Sequence, residues 1–209
     1  MKTAIETAAG NPENQDRGAV IDSRTGLVLV VADGAGGRRG GKEAAVMAVE
    51  LVRQKANELL DADSCVTLLQ SMDQSISRDK AAGETTCAVA VVTEGEVYGA
   101  SVGDSGVWSI NESGFVNLTE RQSRKPFIGS GSAWPLLFEC RRTRGGFLLL
   151  ATDGLIKYTS SERIIASFRN QDASEIARKL IELVRYSSGA LPDDITVIVA
   201  HYQAKLIDH

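Results

Sequence analysis

An α+β fold, two antiparallel sheets with helices packed outside them, is what this sequence predicts. Two observations carry the prediction. Apolar runs of strand length come in consecutive hairpins, and amphipathic runs of helical period come in adjacent pairs. The strict strand–helix alternation that a doubly wound parallel sheet requires is missing.

The elements follow in chain order. Gly18 to Ile21 and Gly26 to Ala32 read as two strands joined by a polar turn, Asp22-Ser23-Arg24-Thr25-Gly26. A Gly-rich loop, 34–41, leads into a helix from Lys42 to Leu60, with Ala45, Val49, Val52 and Ala56 near helical spacing. Ser64 to Ser77 is a second amphipathic helix, with Val66, Leu69, Met72 and Ile76 on one face. Cys87–Val92 and Val97–Val102 form a hairpin around Glu94-Gly95, and 106–110 with 114–118 form another. Residues 121–134 are irregular, and Gly129-Ser130-Gly131-Ser132 predicts a mobile loop. Strands are expected at 136–140 and 146–151, helices at 160–168, with Ser161 as N-cap, and at 174–186, and a last strand at 194–201.

The 209 residues suit one domain, 1–209, with a sizeable core. Net charge −4 and a pI near 5.3 argue against a nucleic-acid partner. No apolar stretch reaches membrane-spanning length, and the first ten residues carry no signal-peptide core. Cys65, Cys87 and Cys140 are odd in number and widely spaced, which fits neither a disulfide framework nor a zinc site. A cytoplasmic protein without membrane association is expected.

Four aspartates at strand ends carry the chemical information: Asp16, Asp33, Asp153 and Asp193. Asp33 and Asp153 each follow an apolar run and precede a glycine, so a buried strand ends by presenting a carboxylate at a sharp turn. Singly, each motif is an ordinary turn. Converging, four carboxylates would repel unless cations sat between them, and hard oxygen donors select Mg²⁺ or Mn²⁺.

Other chemistries fit less well. Gly36-Gly37-Arg38-Arg39-Gly40-Gly41-Lys42 matches a phosphate loop, but Glu43 stands where a hydroxyl should meet Mg²⁺, so a nucleotide hydrolase is a minority reading. No cysteine has an arginine six positions on, as thiolate phosphatases need, and Cys87 reads as a small core residue. A catalytic triad is improbable, because the two histidines, His201 and His209, lie at the chain's end and no GxSxG elbow is present.

Taken together, Asn14-Gln15-Asp16, Val31 to Gly37, Gly83 to Thr86, Ser101 to Ser105, Leu148 to Leu155 and Asp193 to Val197 resemble the protein phosphatase 2C family of metal-dependent serine/threonine phosphatases, in the family's order. The resemblance implies a four-layer αββα sandwich with a two-metal site at one end of the sheets. It implies that Asp33 bridges both ions, that Gly34 offers its carbonyl to one, that Asp153 and Asp193 hold the other, and that Asp16 binds directly or through water. Asp194 would support the ligands. Gly103 and Asp104 would be structural rather than ligating. Water acidified by two ions would attack phosphorus without a covalent intermediate. Phosphorylated serine and threonine proteins would be the substrates, opposite a kinase encoded elsewhere, and a monomer is expected.

Three of the chain's departures from the family bear on substrate and metal binding, beside the tolerated Gln15 and Ala35. Bacterial members carry a phosphate-gripping arginine where Asn11 stands; Arg17, Arg38 and Arg39 are candidate substitutes. Arg121 occupies the place of a third-ion aspartate, so a weak or absent third site is expected. The flap is cut to about Gln122–Trp134, within which Phe127 and Trp134 are expected to anchor the loop in the core. Asn11 and Arg121 also favour a catalytically weak regulatory module as the second reading.

Overall fold

The computed structural model describes residues 1–35, 39–169 and 171–202. Among these, ten strands form two five-stranded sheets in which every pairing is antiparallel. The strands are β1 (Lys2–Ala8), β2 (Asp16–Asp22), β3 (Leu27–Asp33), β4 (Cys87–Val92), β5 (Glu96–Val102), β6 (Gly106–Asn111), β7 (Gly114–Asn117), β8 (Leu136–Arg141), β9 (Phe147–Ala151) and β10 (Ile195–His201). The first sheet runs β1-β10-β9-β6-β7 and the second β2-β3-β4-β5-β8. Helices α1 (Gly41–Lys55) and α2 (Ala62–Ser77) separate β3 from β4, while α3 (Asp153–Ile156), α4 (Ser161–Ala166) and α5 (Ala173–Glu182) separate β9 from β10.

Strand periodicity accounts for four layers. In β3, Val28, Val30 and Ala32 face α1 and α2, while Leu29 and Val31 face the other sheet. In β10, Val197 and Val199 pack with α4 and α5, while Ile198 and Ala200 fill the space between the sheets. Both faces of these strands are buried, so they read as unbroken apolar runs rather than alternating ones. The predicted sandwich is therefore observed.

Several details differ from expectation. Strand β1 was not foreseen; its burial is partial, and it gains its place by pairing with β10, from Lys2↔His201 to Ala8↔Ile195. Not every connection is a hairpin, since β8 crosses to pair with β5 and β9 lies between β6 and β10. Helix α4 is capped by Ser160 rather than Ser161, without a side-chain cap bond, and α5 is capped by Asp172, whose carboxylate accepts from the Ser174 and Glu175 amides. Cys65 and Cys87 are buried, and burial pushes each thiol up to about 12.

The loop predicted to be mobile is pinned. Asp73, a buried carboxylate on α2, accepts backbone N–H bonds from Gly129 (2.7 Å), Gly131 (3.0 Å) and Ala133 (3.1 Å). Thr85 and Ile128 exchange two backbone bonds at 2.9 and 3.0 Å. Phe127 is buried as expected, but Trp134 is 72% exposed and does not anchor the loop through its ring. Replacing Asp73 with alanine leaves three amides short of a partner. Asp73→Ala is expected to cost about 3 kcal/mol, roughly 6–12 °C of melting temperature. An unchanged thermal melt would show that Asp73 does not hold the loop.

Candidate active site

The ends of both sheets meet at a cavity of about 260 Å³. Strand β3 delivers Asp33, cross-strand from Asp16 on β2. The Asp33 main chain is held by its neighbours. Its N–H donates to Thr86 Oγ1 at 3.0 Å, and its carbonyl accepts from the Thr86 N–H at 2.8 Å and Thr85 Oγ1 at 2.9 Å. None of these bonds uses the carboxylate. Gly34 follows with its backbone packed on the start of α1; an added Cβ would stand 2.4 Å from the Gly41 carbonyl oxygen.

From the other sheet come Asp153, at the start of α3, and Asp193-Asp194, just before β10. Gly154 lets these segments touch, since a Cβ there would lie 2.0 Å from the Asp194 carbonyl oxygen. Asp194 acts as a clasp on the β1–β2 loop. Its Oδ1 accepts from the Gly10 and Asn11 amides at 2.9 and 3.0 Å, and its Oδ2 from the Gln15 amide at 2.9 Å. Thr152 joins the sheets by donating from Oγ1 to Asp16 Oδ2 at 2.7 Å, and its own hydroxyl oxygen accepts from the Thr196 amide at 2.9 Å.

The structure thus brings Asp33, Gly34, Asp153, Asp193 and Asp194 onto one cavity wall or another. Asp16 sits behind Asp33, buried, rather than on the lining. The candidate phosphate-binding arginines are elsewhere. Arg17 donates to the Asn14 carbonyl at 3.0 Å and braces the loop before β2. Arg39 lines a neighbouring cavity of about 470 Å³, together with Glu13 and Lys42, which pair with each other. Arg38 lies outside the described residues. The cavity does contain cations that sequence reasoning did not select: Arg124, Lys125 and Lys157. Asp104, read from sequence as structural, also lines it. Lys157 had a visible signal, being one helical turn after Asp153; Arg124 had none.

Crowding perturbs the carboxyls. Burial, reinforced by the charges of Asp16, Asp153, Asp104 and Asp193, raises Asp33 far above the usual carboxylate range. Burial also raises Asp16, against the opposing Thr152 bond, with Asp194 and Asp153 adding to the rise. Asp153 is raised by burial and by Asp104 and Asp193, while Lys157 and Arg124 oppose. Among the described residues no three acidic, histidine or cysteine side chains close on one point; the carboxylates stand around the cavity instead. The donor set nonetheless fits hard cations. It is all oxygen, and Asp16 Oδ1 and Gln15 Oε1 are buried with no hydrogen-bond partner.

Fold and site together define a four-layer αββα sandwich with a carboxylate-lined cavity across the ends of both sheets. The family model for protein phosphatase 2C matches residues 7–190. A protein phosphatase 2C-type sequence of Streptococcus pyogenes is 27% identical over 249 aligned positions, covering 100% of both chains. That alignment is longer than this chain, so the relative carries insertions that this one lacks. The serine/threonine phosphatase stp of Listeria monocytogenes is 32% identical over 124 residues, 53% of this chain and 49% of that one. Among solved structures, the catalytic domain of the serine/threonine protein phosphatase PstP in complex with two manganese ions superposes with TM-score 0.79, at 20% identity over 96% of this chain and 97% of that one. The chain belongs to the protein phosphatase 2C family, the metal-dependent serine/threonine phosphatases.

Proposed function

We propose that residues 1–209 act as one catalytic unit that hydrolyses phosphoserine and phosphothreonine in proteins, using Mg²⁺ or Mn²⁺ and no covalent phosphoenzyme. The observation that carries the mechanism is the convergence of Asp33 from one sheet with Asp153 and Asp193 from the other on a single cavity. Asp33, the Gly34 carbonyl, Asp153, Asp193 and Asp16 would hold two ions. When bound, these supply neutralising charge and a water of lowered pKa.

The chain's own groups do the rest. Asp194 and Thr152 fix the loops that carry the ligands, as carboxylate and hydroxyl supports do in metal sites generally. The thiols of Cys65 and Cys87 are buried and held protonated, so neither serves as a nucleophile. His201 is stacked on Phe147, with ring centroids 4.2 Å apart. No described helix is long and apolar enough to cross a membrane. The reading places the enzyme in the cytoplasm, as a monomer opposing a serine/threonine kinase.

Phosphate release from a phosphothreonine peptide, measured in Mn²⁺, Mg²⁺ and EDTA, tests the proposal. Release that requires the metal supports it. No release, with metal binding still seen by calorimetry, would favour the regulatory-module reading, in which Asn11 and Arg121 mark lost turnover.

A further inference from the structure

A phosphate group entering this cavity faces Asp33, Asp104, Asp153 and Asp193. The β1–β2 loop brings no cation to meet it. Asn11 is there instead, its amide donating to Asp193 Oδ1 at 3.1 Å. Positive side chains stand on the same lining in other segments. Arg124 comes from the loop between β7 and β8, and its Nε pairs with Asp104 Oδ2 at 2.6 Å. Lys157 ends α3, and its backbone N–H donates to the Asp153 carbonyl at 2.8 Å. The third cation, Lys125, lies over the Phe127 ring, 5.4 Å from its centroid.

We propose that Arg124 and Lys157 together bind the phosphoryl oxygens of the substrate, and that Asp104 is the positioning residue for Arg124. The inference rests on the phosphatase reading. A guanidinium held by a carboxylate through Nε keeps its other N–H groups for a second anion, a geometry that lysine lacks. The Arg124 side chain is 64% exposed, so that edge is accessible. The loop behind it is held in place by Asp73 and by the Thr85–Ile128 pair, which lowers the ordering cost of binding. Lys157 is set by the helical turn that also presents Asp153, so ligand and cation are fixed together.

The test measures binding of inorganic phosphate to the full chain in Mn²⁺ by calorimetry, beside peptide kinetics. The variants are Arg124→Ala, Arg124→Lys, Lys157→Ala, Asp104→Asn and Arg124→Ala/Asp104→Asn. Each alanine variant is expected to weaken phosphate binding and raise KM about tenfold, with a smaller change in kcat. Arg124→Lys should recover part of the loss. Asp104→Asn should weaken binding alone but add nothing in the Arg124→Ala background, as expected for a residue acting through another. The Arg124 and Lys157 side chains are exposed, so thermal melts of their single variants should match wild type. Wild-type phosphate affinity and KM in both alanine variants would overturn the proposal. An additive double variant would overturn the role given to Asp104. A wild type that binds phosphate but releases none from peptide would instead count against the phosphatase reading, and the calorimetric comparison would still decide this one.

Discussion

Asp33→Asn is expected to lower phosphate release by about 10³-fold or more, and to raise the melting temperature of the metal-free protein. The first effect follows from removing the anionic oxygens that would face both ions, whose contribution to such hydrolyses is several kcal/mol. The second follows from the neighbours. Asp33 is packed among Asp16, Asp153, Asp104 and Asp193, and its carboxyl is raised because the ionised form is buried among like charges. An amide of the same shape relieves that repulsion. The bonds that hold this turn run through the Asp33 backbone to Thr85 and Thr86 and survive the substitution. Peptide turnover in Mn²⁺ and thermal melts in EDTA check both halves. A variant that unfolds would mean that Asp33 is a structural turn residue.

In chelator, wild-type protein is expected to lose stability as pH rises from about 5 to about 9. Asp16, Asp33 and Asp153 all have folded-state pKa values above their unfolded values near 3.8. The folded state therefore holds more protons than the unfolded chain between the two values, and stability falls as pH climbs through that window. Below the unfolded pKa this contribution is fully present; above the folded pKa it is gone. A single such group changes stability by about 1.4 kcal/mol per pH unit while it titrates, or roughly 3–6 °C for a chain of this length. Saturating Mn²⁺ should flatten the profile, since bound cations favour the ionised carboxylates. A flat or rising melting temperature in EDTA over this range would contradict the crowding described for the cavity.

The strands most legible in the sequence are those buried on both faces. Leu27 to Ala32, Cys87 to Val92 and Ile195 to Ala200 are nearly unbroken apolar runs, and length alone marks them as strands. Strand β1 escaped because an edge position needs little apolar surface; Ala4, Ile5 and Ala8 are scattered among polar residues. The loop at 127–133 was misread for a different reason. Glycine and serine describe local freedom, whereas the constraint is Asp73, 56 residues before Gly129. Single-chain periodicity has no access to such a contact. The same division holds in the cavity. Asp-Gly turns after apolar runs are local patterns and could be read. Arg124 reaches Asp104 only through the path of the loop, so no spacing announced it. Trp134 was expected to anchor this loop by burial, yet its contact to Gln122 Nε2 is through its carbonyl, and the indole is left in solvent.

The pairing of β1 with β10 joins Lys2 to His201, the two ends of the described sheet register. Closing so long a loop is slow, because its entropy must be lost before the contacts form. Asp193 and Asp194 immediately precede β10, so the carboxylate cavity is complete only once that strand docks. On a ribosome, the sheet containing β2 to β5 has its strands long before this happens, and it can fold while the first sheet still lacks the strand that joins β1 to β9. A site that draws ligands from Asp193 would therefore be completed late in folding, and early intermediates are expected to be inactive.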